Sequence, residues 1–154
     1  GHDLSTLLIL RNGRVIYTRD HPFGSHQLIE EIMRRYDMTA EQAEFFNRGE
    51  PGPEDFEDAV LEPFMLSVVH QISRALQFYS SSSDFSNIRT IYLSGGMASL
   101  KGLTDVIEQE LGIKTNIADP VSGLEIAPSV AVSALTKNAP NMMVSMGLAL
   151  RGFD

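Results

Sequence analysis

The sequence predicts an α/β fold in which a mixed sheet is flanked by helices and carries a small helical insertion. Three observations lead to this class. Two β-favouring runs surround an Asn-Gly pair near the start of the chain, apolar residues recur at helical spacing further on, and a later apolar run leads through a glycine pair into a helix. Strands and helices in this order are typical of a sheet covered by helices.

Composition restricts the classes of function. The 154 residues are 43% hydrophobic, enough for one ordinary core. A net charge of -8 argues against sequence-independent binding to nucleic acid or anionic lipid, because both depend on clustered cations. The chain has no cysteine and its four histidines show no recognisable ligand spacing, so we expect no metal site.

Two further expectations concern the ends of the chain and the membrane. The longest uncharged apolar runs fall well short of the roughly 20 residues that a membrane helix needs, so we expect no transmembrane segment. The chain begins without methionine and enters a strand almost at once. We interpret it as a segment of a longer protein.

The first third of the chain predicts a hairpin and two helices. Residues 4–10 and 15–18 favour strands, and Asn12-Gly13 between them is a strong hairpin signal. Apolar residues at helical spacing from 28 to 36 predict an amphipathic helix. Thr39 and Gln42 then form a capping box that begins a short second helix, which Gly49 ends.

A long helix is predicted from Phe56 onwards. Pro63 either kinks this helix or marks its first turn. The apolar ladder that predicts the helix has steps of four residues: Val60, Phe64, Val68, Ile72 and Leu76.

The remaining elements follow from residue 88. We predict a buried strand at 88–93, a helix capped by Ser99 and closed by Gly112, a short strand at 114–118, a loop at 119–129 and a helix at 131–135. A last helix begins at Pro140. Since it is apolar nearly all round, we expect it to lie buried against the sheet.

The glycine pair after the strand at 88–93 is the first candidate site. Gly95 and Gly96 permit a ligand to approach the backbone closely, and they face the start of a helix. Ligands of α/β proteins also collect beyond the carboxyl ends of strands. The alternative is a tight turn with no ligand.

A polar trio on the second helix is the next candidate. Glu44, Asn47 and Arg48 share one face because they are three and four residues apart. A carboxylate can accept hydrogen bonds from ribose hydroxyls, and a guanidinium can stack on a base. The alternative is an ordinary ion pair on a surface helix.

The hydroxyls of Ser5 and Thr6 in the opening hairpin could contact a phosphate, or they are ordinary strand residues.

Enzymatic readings have little support in the sequence. It contains no Ser-His-Asp order, no metal-ligand cluster and no CxxC motif. We therefore expect neither a hydrolase nor a redox enzyme from these residues.

Several segments together resemble the PilM family of type IV pilus assembly proteins, and the likeness covers essentially the whole chain. The ending near Leu-Arg-x-Phe-Asp is close to a signature of that family's C-terminus. The segments are residues 7–19 (LLILRNGRVIYTR), 23–28 (FGSHQL), 61–64 (LEPF), 93–96 (LSGG) and 139–154 (APNMMVSMGLALRGFD).

The resemblance implies a fold and a domain organisation. PilM proteins are similar to the cell-division protein FtsA and belong to the actin, sugar-kinase and heat-shock chaperone superfamily, with a ribonuclease H-like fold in which two lobes clamp ATP. Residues 1–154 would be the second lobe, with a core of about 1–36 and 60–154 and a small helical subdomain of about 37–59. The first lobe would lie outside this chain.

The resemblance also implies nucleotide-binding residues, with ATP and Mg²⁺ as the ligand of the longer protein. Two departures bear on them: Asn47 stands where the superfamily usually has lysine, and Gly24-Ser25 stands for a Gly-Gly pair. The implied residues are Ser5 and Thr6 at the end of the second phosphate motif, Glu44, Asn47 and Arg48 at the purine and ribose contacts, and Gly95, Gly96 and Met97 in the adenosine motif.

The function implied by the resemblance is assembly and not catalysis, with at most a slow ATPase activity in the longer protein. PilM-like proteins are cytoplasmic, lie at the inner membrane, and are held there by the N-terminal tail of the membrane protein PilN, mainly through the first lobe. Other pilus platform proteins are further expected partners. Two alternatives stay open: a degenerate actin-like adaptor without nucleotide, as in type II secretion, and a fragment of a sugar-kinase-like phosphotransferase.

Overall fold

The chain opens with the predicted β-hairpin. The structure is a computed structural model that describes residues 1–47, 51–79 and 88–151. Strand β1 (Ser5–Arg11) pairs antiparallel with β2 (Arg14–His21). Asn12 and Gly13 both have positive φ, 52° and 74°, which is the type I′ geometry that Asn-Gly favours. The hairpin prediction is confirmed.

Two helices follow the hairpin. Helix α1 (Ser25–Tyr36) begins after Gly24, whose N–H donates to Gln27 Oε1 at 2.8 Å. Helix α2 (Ala40–Asn47) has the predicted capping box: Thr39 N–H donates to Gln42 Oε1 at 2.9 Å, and Gln42 N–H donates to Thr39 Oγ1 at 3.3 Å. The predicted end of α2 at Gly49 lies outside the described residues.

The long helix begins with a widened turn. A π-helical turn at Glu57–Leu61 leads into α3 (Glu62–Tyr79), and the N–H of Glu62 donates to the carbonyl of Glu57, five residues earlier. Pro63 has no N–H and its ring would collide with a carbonyl one α-turn back, so the backbone widens before it. Pro63 therefore lies in the first turn of α3.

A parallel strand pair follows. Strand β3 (Thr90–Leu93) pairs with β4 (Lys114–Ile117), and between them lie a 3-10 turn (Gly96–Ser99) and helix α4 (Leu103–Leu111). The prediction that Ser99 caps this helix was wrong. Ser99 ends the 3-10 turn, and Gly102 occupies the N-cap of α4 with φ 85°, a conformation that glycine tolerates best. Gly112 closes α4 as predicted.

The C-terminal segment contains α5 (Val132–Asn138), a second 3-10 turn (Ala139–Met142) and α6 (Met143–Leu150). Helix α6 was expected to be buried against the sheet, and this was wrong. None of its residues is buried, and Val144 is 75% exposed. Its apolar faces meet too few neighbouring elements within the described chain to be covered.

One apolar core joins the helices. The side chains that lie deepest, with at most 1% exposure, include Leu28 and Ile32 of α1, Val60 of the π turn and Ile107 of α4. Ala43 of α2 belongs to the same cluster, so residues of the predicted helical insertion contribute to the main core. The bounds of that insertion stay a prediction.

The predicted α/β class holds, although the described residues contain separate antiparallel and parallel strand pairs where one mixed sheet was predicted. Within the described residues this pairing is divided between two two-stranded sheets, β1-β2 and β3-β4. A second apolar cluster connects the sheets, since Ile9 of β1 and Ile113 before β4 pack around Leu76 of α3. Across residues 1–47, 51–79 and 88–151, no helix combines the length and apolar character that crossing a bilayer requires.

Candidate functional site

The glycine turn at the carboxyl end of β3 is fixed to the C-terminal segment. The N–H of Gly95 donates to the carbonyl of Pro140 at 2.8 Å, and Ser94 Oγ donates to the same oxygen at 3.0 Å. Ala98 N–H donates back to the Gly95 carbonyl at 3.0 Å. These three bonds hold the turn in one conformation from both sides.

That conformation requires glycine at one position. Gly95 has φ 92° and ψ 177°, a region that residues with a Cβ almost never occupy. Among the described residues, a Cβ added to Gly95 would meet no atom within 4 Å, and one added to Gly96 would meet only Asn141 Oδ1 at 3.5 Å. The described part of the chain therefore leaves the Cβ side of both glycines open to a ligand.

Met97 links the turn to the core. Its side chain is partly buried and packs against the helical cluster that contains Ala43 of α2. Glu44, the next residue along α2, is half-buried. The glycine turn and α2 thus border the same core, although they are about fifty residues apart in sequence.

The rest of the predicted purine and ribose trio lies beyond what the structure describes. Asn47 is the last residue of α2, and its side chain is outside the described part. Arg48 is outside the described residues altogether. The convergence of these two side chains with Glu44 stays a prediction.

The hydroxyls of Ser5 and Thr6 take part in local hydrogen bonds. Ser5 Oγ donates to the carbonyl of Phe23 at 2.7 Å, which ties β1 to the start of α1. Thr6 Oγ1 donates to Asp20 Oδ1 at 2.6 Å, across the hairpin from its paired residue. Each oxygen keeps acceptor capacity, and a role at a phosphate stays a prediction.

A shallow surface hollow lies elsewhere, along α1 and the turn after it. Its lining contains none of the predicted site residues, and it is wide open to solvent, so we assign it no function. The lining residues are Gln27, Glu30, Glu31, Met33, Arg34, Asp37 and Met38.

Two polar clusters have no signal in the sequence. Arg35 Nη2 donates to Asp55 Oδ2 at 2.7 Å, and Tyr36 OH donates to Asp55 Oδ1 at 2.9 Å. The hydrogen bond from Arg35 and then that from Tyr36 lower the pKa of the Asp55 carboxyl. In the other cluster the rings of His2 and His26 lie 5.3 Å apart. The sequence does not predict either cluster, because the partners are about twenty residues apart and only the fold brings them together.

Comparison with known protein families shows to which family this chain belongs. The family model for type IV pilus assembly protein PilM matches residues 1–153. The chain belongs to the PilM family. The resemblance inferred from its segments is confirmed.

Solved structures agree on the fold. A PilM-PilN type IV pilus biogenesis complex superposes on this chain with a TM-score of 0.84 at 23% sequence identity. The match covers all of this chain and 44% of the chain in that complex. Ethanolamine utilization protein EutJ from Carboxydothermus hydrogenoformans gives a TM-score of 0.67 at 18% identity, with 96% of this chain matching 45% of that one. The fold is that of the actin-like ATPases, and this chain spans less than half the length of either structure.

Proposed function

We propose that this chain is the second lobe of an actin-like scaffold for type IV pilus assembly, and that ATP with Mg²⁺ binds over the Gly95-Gly96 turn in the longer protein. The observation that carries the proposal is the backbone at Gly95. It adopts a conformation reserved for glycine, no described residue fills the space on its Cβ side, and it lies at the carboxyl end of a parallel strand.

The anchored turn, together with polar residues of α2 and β1, supports a nucleotide as the ligand. Bonds to Pro140 fix the turn before any ligand arrives, so little ordering entropy is lost on binding. Glu44 supplies a carboxylate suited to ribose hydroxyls. Ser5 and Thr6 supply hydroxyls at the base of the hairpin. With about half of the nucleotide contacts on the other lobe, this chain alone binds ATP weakly.

The scaffold role rests on family membership. One matched structure is a PilM-PilN complex, and a PilN-type N-terminal tail is the corresponding partner here. The longer protein then lies on the cytoplasmic side of the inner membrane together with other pilus platform proteins. The tail binds mainly through the other lobe. ATP acts as a structural ligand or switch rather than as a substrate for rapid turnover.

The test of nucleotide binding is calorimetric titration of Mg-ATP into the longer protein. Gly96→Asp places a carboxylate where the nucleotide approaches, so binding should be abolished. Gly96→Ala is the matched control: its Cβ meets Asn141 at an ordinary contact distance, so the backbone stays as it is. If the glycine turn binds no nucleotide, neither the wild type nor the two variants will show Mg-ATP binding. The adaptor alternative would then replace this proposal.

A second pair of variants tests the ribose contact. Glu44→Ala should weaken Mg-ATP binding by about tenfold, the effect of losing a hydrogen bond to a charged group. Glu41→Ala, an exposed position on the same helix, should leave binding unchanged. Equal effects of the two substitutions would remove Glu44 from the site.

Turnover separates the scaffold from an enzyme. Slow or absent phosphate release from Mg-ATP is expected for the longer protein. Release or transfer at ordinary enzymatic rates, on the order of 1–1000 per second, would instead favour the phosphotransferase alternative.

Fluorescence anisotropy with a labelled PilN tail peptide tests the partner. We expect clear binding to the longer protein and weak binding to this chain.

A further inference from the structure

We propose that His2, Asp3 and His26 form a binding site for a transition-metal ion of the Zn²⁺ class. The ligand atoms of these three side chains all lie within 4.8 Å of one another. Two imidazoles and a carboxylate are a donor set that suits zinc and its neighbours in the first transition series, whereas Mg²⁺ prefers oxygen alone. This site is therefore distinct in chemistry from a Mg-ATP site.

The backbone brings the two histidines together by direct hydrogen bonds. The N–H of Ser25 donates to the carbonyl of Gly1 at 3.0 Å, and the N–H of His26 donates to the carbonyl of His2 at 2.9 Å. The first two residues thus satisfy N–H groups in the first turn of α1. The backbones of His2 and His26 are therefore held next to each other by the fold.

Gly24 makes this close approach possible. A Cβ added there would collide with the carbonyl oxygens of both Gly1 and His2. The glycine has an extended backbone, φ −171°, which any residue could adopt. The requirement for glycine at this position is therefore contact with the first two residues, and any larger residue would displace one metal ligand from the other two.

Each ring has a polar neighbour that can orient it for a metal. Glu30 Oε1 lies 3.2 Å from His26 Nε2, on the ring nitrogen opposite Nδ1, which can bind the metal. Ser25 Oγ lies 3.3 Å from His2 Nδ1, and Nε2 of His2 binds the metal in the tautomer in which Nδ1–H donates to the hydroxyl oxygen. Partners of this kind orient histidine ligands in established metal sites.

The distances permit closure around an ion. His2 Nε2 lies 3.9 Å from Asp3 Oδ1, and tetrahedral ligands at Zn–N distances near 2.1 Å are about 3.4 Å apart. About half of each histidine side chain is exposed, so small rotations are open to both rings and an ion has direct access. The family match begins at residue 1, so all three ligands lie inside the matched region.

The experiment uses Zn²⁺ and Co²⁺ as probes on the chain produced with two additional residues before Gly1, which removes the α-amino group as a ligand. Calorimetry should give one Zn²⁺ per chain, and Co²⁺ should broaden the imidazole NMR signals of His2 and His26 selectively. His26→Ala should weaken Zn²⁺ binding by at least about tenfold. His70→Ala, an exposed histidine on α3, is the matched control and should leave it unchanged.

A second variant tests the geometry without removing a ligand. Gly24→Ala should weaken Zn²⁺ binding by about tenfold while the circular dichroism spectrum keeps its helical signal. Zn²⁺ should also raise the melting temperature of the wild type and not that of His26→Ala. Equal Zn²⁺ affinity for the wild type and His26→Ala, or an equal loss in His70→Ala, would overturn the proposal.

Discussion

The helical core and the C-terminal helix α6 contain similar apolar side chains in opposite surroundings. Leu28 of α1 and Ile107 of α4 are fully buried, whereas Val144 and Leu148 of α6 are 75% and 59% exposed. Hydrophobic stabilisation scales with the apolar area removed from water, so the first pair contributes to the stability of this chain and the second pair contributes little. An apolar helix is therefore not by itself a core helix.

The difference lies in the number of neighbours. The core side chains are surrounded by α1, α2, α3 and α4, while α6 packs against the 3-10 turn that precedes it. The chain spans 44% of the matched chain of the PilM-PilN complex. Four pairs of substitutions test the two regions and the contacts around them.

The largest contrast is between two leucine truncations. Leu28→Ala should lower the free energy of unfolding by about 2–5 kcal/mol, because it leaves a cavity in a closed core. Leu148→Ala should change it by less than about 0.5 kcal/mol, since the side chain is already in water. Urea denaturation of both variants checks this. Similar losses in both would mean that α6 is covered in solution.

The next contrast concerns the bond between the two regions. Gly95→Ala should cost about 1–3 kcal/mol, because alanine is strained at φ 92° and ψ 177°. As Gly95 anchors Pro140, hydrogen exchange should increase first over residues 132–150 and leave α1 protected. Gly96→Ala is the control and should be nearly neutral. Uniform loss of protection would show instead that the two regions unfold as one unit.

Helix caps give a smaller contrast. Thr39→Ala removes half of the capping box of α2 and should cost about 1 kcal/mol. Thr136→Ala in α5 removes only a hydroxyl bond to the carbonyl of Val132 one turn earlier, and alanine is the better helix former. We expect no loss there. Thermal melts of the two variants, recorded under the same conditions, provide the comparison.

The smallest effect is the pH dependence of the surface contact between α1 and Asp55, which lies just before the π-helical turn. The pKa of Asp55 is lowered in the folded chain, so the unfolded chain binds the proton more readily. The contribution of Asp55 is present above its unfolded pKa and is lost as pH falls through its lower folded pKa. Melting temperatures between pH 7 and pH 3 should therefore fall more in the wild type than in Asp55→Asn.

Arg35→Gln provides the check on that assignment. It removes the larger cause of the lowered pKa while keeping the Asp55 carboxyl. Its melting temperature should lose part of the same pH dependence. An unchanged profile in both variants would mean that the contact is too exposed to contribute.

Local signals in the sequence predicted much of the fold. Asn12-Gly13 determined the hairpin, because both residues tolerate positive φ, and Thr39 with Gln42 determined the start of α2. Ser99 failed as a cap because the chain forms a 3-10 turn there and starts α4 after Gly102. A hydroxyl residue near a helix start signals a cap only if the backbone enters the helix at that residue.

The candidate nucleotide site was predicted in part. The glycine turn was found at Gly95 and Gly96, where the required φ and the open space are consistent with the sequence reasoning. The anchoring carbonyl of Pro140 was not predicted, since no pattern links residues more than forty positions apart. The pairing of Arg35 with Asp55 was not predicted for the same reason.

The sequence by itself determined the order and type of the local elements, the glycine turn and membership of the PilM family, because backbone preferences and matching segments are properties of short stretches of chain. Only the tertiary structure decided that α6 is exposed and that His2 and His26 meet at the start of α1. Burial and contacts between side chains depend on distances between residues far apart in sequence. Those distances are fixed by packing, which local patterns do not encode.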